Sequence, residues 1–241
     1  SLNEITIPSD VTVIKNSTFA GCSNLNKITF SSPSSLTKIE DSAFQGCSSL
    51  SRIELPSTIV SIGWISFDGC SSLTEISFPP SIKSIGCFAF KNCPQLKTIS
   101  ILSDDLSIGN KVFEGCTSVV VSSNNNIIPN NIFRGCSSIT NIQISESIVE
   151  FGKSSFEDCL KLNVINIPSS VKLINDYAFK GCSELDQLNI PSSVKLIRSF
   201  SFCDCSKLAN ITIPNSVELI DSYAFKGCSQ LEKIEIPDSV F

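Results

Sequence analysis

The twelve cysteines are the residues of this chain most capable of chemistry. A thiolate can act as a nucleophile, a metal ligand or half of a disulfide. Ten of them fall in one recurring tetrapeptide, Phe-x-x-Cys. Its phenylalanines are Phe19, Phe44, Phe67, Phe90, Phe113, Phe133, Phe156, Phe179, Phe202 and Phe225, followed by Cys22, Cys47, Cys70, Cys93, Cys116, Cys136, Cys159, Cys182, Cys205 and Cys228. The chain has no histidine, which removes Ser-His-Asp and Cys-His nucleophiles and His-ligated zinc. No C-x-x-C pair occurs either, so no metal and no cofactor is expected. The register cysteines read instead as small buried apolar residues whose weak S–H donors serve a turn carbonyl. Stacked in parallel, such side chains rarely meet the torsion that a disulfide requires. Cys203 stands where sibling repeats carry Lys180 and Lys226, and Cys87 where they carry Trp64 and Asp176. Both are therefore expected at the surface, and any reactive thiol is one of these two. Glu232 and Glu235 share a sheet face and read as surface charge rather than as an acid–base pair.

The elements that position these groups follow from the spacing. Successive motif phenylalanines are 25, 23, 23, 23, 20, 23, 23, 23 and 23 residues apart. One clean unit is LNVINIPSSVKLINDYAFKGC, from Leu162 to Cys182. Ile165 and Ile167 alternate as a short half-buried strand requires. Pro168 ends the strand because it offers no ladder donor. Ser169 and Ser170 turn the chain, and Val171 and Ile174 form a second, less regular apolar segment. Gly181 permits a turn conformation beside Cys182. No repeat can bury its apolar face alone, so stability must come from stacking. The phenylalanines then form a buried spine on the convex side, each worth roughly 1.5–3 kcal/mol.

This pattern resembles the BspA-like, treponemal class of leucine-rich repeats, whose consensus is close to L-x-x-I-x-I-P-x-x-V-x-x-I-x-x-x-A-F-x-x-C. The resemblance covers essentially the whole chain. It implies an α/β-type solenoid, mostly β: a leucine-rich repeat arc of about ten 23-residue repeats, with a parallel concave sheet and an irregular convex side. A parallel β-helix, with shorter and less uniform coils, is the structural rival. The resemblance also implies a non-catalytic protein-binding module, displayed at the cell surface or secreted, that adheres to host or matrix proteins. An intracellular scaffold is the alternative, since a dozen unpaired thiols suit a reducing compartment.

Residues 1–241 read as one solenoid with two irregular places. Ser31-Ser32-Pro33-Ser34 holds two extra residues, and the repeat around 102–131 lacks three, with a break in curvature expected there. Asp10, Thr58, Ser81, Asp104, Ser147, Ser170, Ser193, Ser216 and Ser239 follow the strands, where a short polar side chain can bond its own turn. Without a neighbouring base these hydroxyls are not nucleophiles. The chain has no methionine and reads as an excised or processed piece of a longer one. With Lys+Arg 18 against Asp+Glu 23, a net charge of −5 leaves no engine for nucleic-acid binding. No apolar run is long enough for membrane insertion.

Candidate partner-binding residues lie in two places. The concave face is small and polar, carries no aromatic residue, and offers Lys27, Arg52, Asn141, Gln143, Asn166, Gln187 and Asn189. It reads either as a solvated face or as a surface for many weak contacts with an extended protein ligand. Two residues before spine phenylalanines stand Phe88, Tyr177, Phe200 and Tyr223, the last three in consecutive repeats, with Trp64 near Phe88. These rings either cover the spine or form two apolar contact patches. Uncapped apolar ends invite end-to-end self-stacking. Asn16-Ser17-Thr18 and Asn210-Ile211-Thr212 are sequons that matter only in a eukaryotic secretory route.

Overall fold

The computed structural model describes residues 2–103 and 105–241. Ser1, and the turn position assigned to Asp104, lie outside the described residues. The chain divides into two compact units, Ser1–Val119 and Val120–Phe241. The boundary falls inside the irregular 102–131 stretch, which carries the six-residue strand Ser118–Ser123. Each unit is a solenoid of parallel coils, and no helix occurs among the described residues.

The alternation of apolar and polar residues builds the first strand of each coil. In the N-terminal unit Glu4–Ile7 pairs parallel with Lys27–Phe30, and Glu75–Phe78 with Thr98–Ile101. Ile5 faces Ile28, and Ile76 faces Ile99, an offset of one 23-residue repeat in each case. In the C-terminal unit Asn141–Ile144 pairs with Val164–Ile165, and Gln187–Asn189 with Asn210–Thr212. The side of each coil read as irregular also holds a second parallel ladder. In the N-terminal unit it joins Val13–Ile14, Lys38–Ile39, Ser61–Ile62, Ser84–Ile85 and Ser107–Ile108. In the C-terminal unit it joins Ile127–Ile128, Glu150–Phe151, Leu173–Ile174, Leu196–Ile197 and Leu219–Ile220.

A third set of bonds holds the turn that carries the spine. Three backbone amides per coil reach the following coil: Tyr177 N donates to Ser199 O, Phe179 N to Ser201 O and Gly181 N to Cys203 O, at 3.0, 2.7 and 2.8 Å. The same three positions repeat from Ser17, Phe19 and Gly21 onward. The geometry needs two left-handed residues per coil. One is the residue before the cysteine, usually glycine but Asn92, Asp158 or Asp204 in three coils. The other lies two residues before the phenylalanine, with φ between 44° at Ile65 and 61° at Asn131 and Tyr223. Serine, lysine and aromatic residues occupy this second position without a sequence signal for its backbone.

The spine stacks as parallel offset rings. Centroids are 5.0 Å apart for Phe67–Phe90 and 5.0 Å for Phe156–Phe179. Such pairs contribute about 0.5–1.5 kcal/mol beyond their burial. Phe78 and Phe151 brace the spine edge-on, with Phe151 touching both Phe156 and Phe179. All spine rings are buried except those of Phe19 and Phe225, which are half-buried.

The cysteines sit beside this spine as free thiols. Each bonded thiol reaches back one coil: Cys47 Sγ donates to Phe19 O at 3.2 Å, and Cys182 Sγ to Phe156 O at 3.2 Å. Phe19 O already accepts the amide of Cys22 at 3.0 Å, so the thiol takes its second lone pair. The reading of the strand-following hydroxyls as local turn-holders is corrected. Thr58, Ser81, Ser193 and Ser239 each donate to a carbonyl 22 residues earlier, on the preceding coil. Ser147 alone of the bonded set makes a local contact, with Ser145 at 3.0 Å. Beside Asp104, Ser103 Oγ donates to Ile82 O at 2.7 Å.

Candidate partner-binding faces

The left-handed residue two before the spine phenylalanine is exposed or half-buried in every coil but that of Ser154. In the C-terminal unit this position aligns Tyr177, Phe200 and Tyr223 as a continuous strip. Tyr177 and Phe200 stack at 5.1 Å and 5°, Phe200 and Tyr223 at 4.9 Å and 23°. Tyr223 is 59% exposed, and the other two are half-buried. Lys153 and Lys180 lie over Tyr177, at 5.6 and 5.5 Å, and Lys226 over Tyr223 at 5.4 Å. The N-terminal counterpart is not a strip. Trp64 is 50% exposed and Phe88 half-buried under Lys91, with no ring contact between Trp64 and Phe88 among the described residues. The strip breaks where this position holds Lys111, Asn131 and Ser154.

The strand faces of the two units differ in chemistry. In the N-terminal unit several of the charges pair with one another. Arg52 reaches Glu54 at 3.0 Å and Glu75 at 3.2 Å, and Lys27 lies 3.9 Å from Glu4. The segment 52–55 carries no strand, unlike its neighbours. Two open grooves of about 370 and 930 Å³ flank Arg52 and Glu54, the larger walled by Ser31–Ser34 with its cis Ser32–Pro33 bond. In the C-terminal unit Gln143, Asn166, Gln187, Asn189 and Asn210 are exposed, Asn141 is half-buried, and Val164 is 59% exposed. None of these six carboxamides makes a side-chain hydrogen bond among the described residues.

One buried carboxylate escaped the sequence reading. Glu157 is buried between Arg134 on the coil before, at 3.0 Å, and Lys180 on the coil after, at 3.3 Å. Lys180 is held above its ordinary value. Burial pushes it down but is outweighed by the Glu157 carboxylate, with Asp158 adding to the effect. Charge alternation at a spacing of 23 was the available signal. The expectation that Cys203 is exposed is corrected: it is 3% exposed, and burial, followed by the Asp204 carboxylate, pushes its thiol up. Cys87 is half-buried, and its sulfur accepts the Asn110 amide at 3.3 Å, where Asp41 Oδ1 accepts the Trp64 amide two repeats earlier. Burial pushes the Cys47 and Cys228 thiols up to about 11, those of Cys70 and Cys93 further up, and those of Cys182 and Cys205 well above their ordinary value. Among the described residues no group of three or more potential ligands is placed to hold a metal ion.

A family model for the BspA type leucine rich repeat region matches residues 1–120 and 126–241, in six copies. The chain belongs to the BspA-type leucine-rich repeat family. Among solved structures, this BspA-type chain is similar to a leucine-rich repeat protein from Bacteroides ovatus, with 29% identity and a TM-score of 0.54. That match covers 98% of this chain and 61% of the other. It is also similar to the leucine-rich repeat protein of T. pallidum, with 27% identity, a TM-score of 0.50, and 67% and 78% coverage. The pneumococcal vaccine antigen PcpA shares the fold at 24% identity and a TM-score of 0.50, over 99% of this chain and 73% of its own. No curated relative matches the chain. The chain thus spans about three-fifths of the Bacteroides protein that it matches. No helix among the described residues is long and apolar enough to cross a membrane.

Proposed function

We propose that this BspA-type chain is a non-catalytic protein-binding region, displayed at the cell surface or secreted, that contacts host or matrix proteins. The observation that carries this reading is the C-terminal strand face. It presents a repeated set of exposed carboxamides with no internal partner, on coils whose backbones bond to the next. A backbone fixed this way loses little further freedom when a partner arrives, which favours many modest contacts along an extended surface. The test is surface plasmon resonance of the 241-residue chain against purified extracellular-matrix proteins. Saturable binding that weakens in a Gln143→Ala, Asn166→Ala variant is the expected result. Flat responses across the matrix proteins overturn the adhesive reading.

A second reading, an intracellular interaction scaffold, draws on the twelve free thiols. Protease treatment of intact source cells separates the two. Loss of the chain from intact cells supports surface display, and full protection supports the scaffold.

A further inference from the structure

We infer that the C-terminal strand face binds a polypeptide in the polyproline II conformation through its main chain. This rests on the protein-binding reading above and names the class of partner. The carboxamides form two columns that run from coil to coil. Asn141, Gln187 and Asn210 share one register position with Val164, and Gln143, Asn166 and Asn189 share the position two residues on. The second ladder carries the register across the middle coils, where Leu173 faces Leu196.

Three features select the partner. The first is charge: from Thr140 to Thr212 the outward strand positions hold a single ionised group, Asp186. A charged partner would lose hydration there without gaining an opposite charge, whereas a neutral chain of carbonyls does not. The second is hydrogen bonding: each carboxamide offers two N–H donors and a carbonyl acceptor. A polyproline II chain has no internal hydrogen bonds and presents all its carbonyls outward. The third is period. Parallel coils repeat every ~4.8 Å, so two coils span ~9.6 Å. Three polyproline II residues, one full turn, span ~9.3 Å. A β-strand repeats every ~6.6 Å, which matches neither one coil nor two. A polyproline II chain lying along the columns therefore returns the same face to every second coil. Exposed Val164, within the first column, offers an apolar contact for a proline ring.

The test titrates the 241-residue chain into fluorescently labelled dodecaproline, with a Gly/Ser peptide of equal length and cellohexaose as competitors. Saturable binding of dodecaproline that the Gly/Ser peptide does not displace supports the inference. It should weaken about tenfold in the Gln143→Ala, Asn166→Ala, Asn189→Ala triple variant and by less than about twofold in Lys97→Ala, an exposed residue of the N-terminal unit. It should also change little between low and high salt, because no ion pair is involved. Thermal unfolding of the triple variant, unchanged from the parent, separates a binding loss from a folding loss. Stronger competition by cellohexaose than by dodecaproline itself overturns the inference in favour of a glycan. If dodecaproline fails to bind while matrix proteins still bind, this inference falls and the protein-binding reading stands. If neither binds, both fall.

Discussion

The two units follow the same backbone plan with the same kind of interior, and part company on the strand face. In the N-terminal unit the outward charges satisfy each other: Arg52 with Glu54 and Glu75, Lys27 with Glu4. In the C-terminal unit the six outward amides make no side-chain hydrogen bond among the described residues, and its charge pairing on that face is confined to Lys233 and Glu235 in the last coil. Consensus positions pay for the fold in both, so the outward positions are free to differ. A self-paired charged surface repels casual contact, whereas an unpaired neutral one is poised for a partner.

If the interiors are equivalent, equivalent cuts should cost the same. Phe67→Ala and Phe202→Ala each remove a fully buried ring stacked on two others. Each should cost about 3–5 kcal/mol in urea unfolding. A large gap between them would show that the units differ inside as well as on the face.

Raising the pH attacks both thiol ladders together. Buried thiols stay protonated in the folded chain above their ordinary value of 9.0 and ionise in the unfolded one. Their folded values are raised, so the stability they contribute is intact below about pH 9 and lost as the pH climbs. For Cys47 and Cys228 the loss is complete near 11, and for Cys70 and Cys93 it continues beyond. Lys180 acts in the same direction, because its raised value is lost as the pH climbs past its ordinary 10.5. Urea midpoints at pH 7 and pH 10.5 should differ clearly. Equal midpoints would mean that the thiols are not buried as described.

The left-handed glycines sharpen the contrast further. Gly46 has φ +72°, and an added Cβ would meet only Gly21 backbone atoms at 3.7 Å. Gly181 has φ +74°, and the Asp158 carboxylate already lies where its Cβ would go. Gly46→Ala should cost about 1–2 kcal/mol, from the backbone alone. Gly181→Ala should cost a similar amount, about 1–2 kcal/mol, because the exposed Asp158 carboxylate can turn aside, and a much lower melting temperature than that of Gly46→Ala would show that it cannot. Smaller still, Ser66, Ser155 and Ser201 bury hydroxyls without a partner where siblings carry alanine. Ser66→Ala and Ser201→Ala should each stabilise by about 1 kcal/mol, seen as a higher urea midpoint. Arg52→Ala, on an exposed ion pair, should change stability by less than about 1 kcal/mol.

The repeat, the spine and the cysteine ladder were legible because apolar side chains at fixed spacing mark burial directly. The turn backbone was not. A left-handed position filled by Ser17, Lys111 or Phe200 gives no type signal, and only its glycine companion does. Cys203 misled for a related reason. A lysine at that position can bury its stem and extend its ammonium outward, as the half-buried Lys180 does. The short cysteine side chain at the same place has nothing to extend. The strand-following hydroxyls were correctly seen as hydrogen bonders, but a single repeat read alone cannot show that the acceptor belongs to its neighbour.

The thiol-to-carbonyl bond between successive coils links one position of the 23-residue unit to the same unit one copy earlier. Because every such bond joins the same two positions of neighbouring units, cysteine to phenylalanine carbonyl, copying or deleting one whole unit in the gene leaves each surviving bond with a partner of the same kind. Length can then drift by unequal recombination without redesign of the interior, while outward residues diverge copy by copy toward new partners.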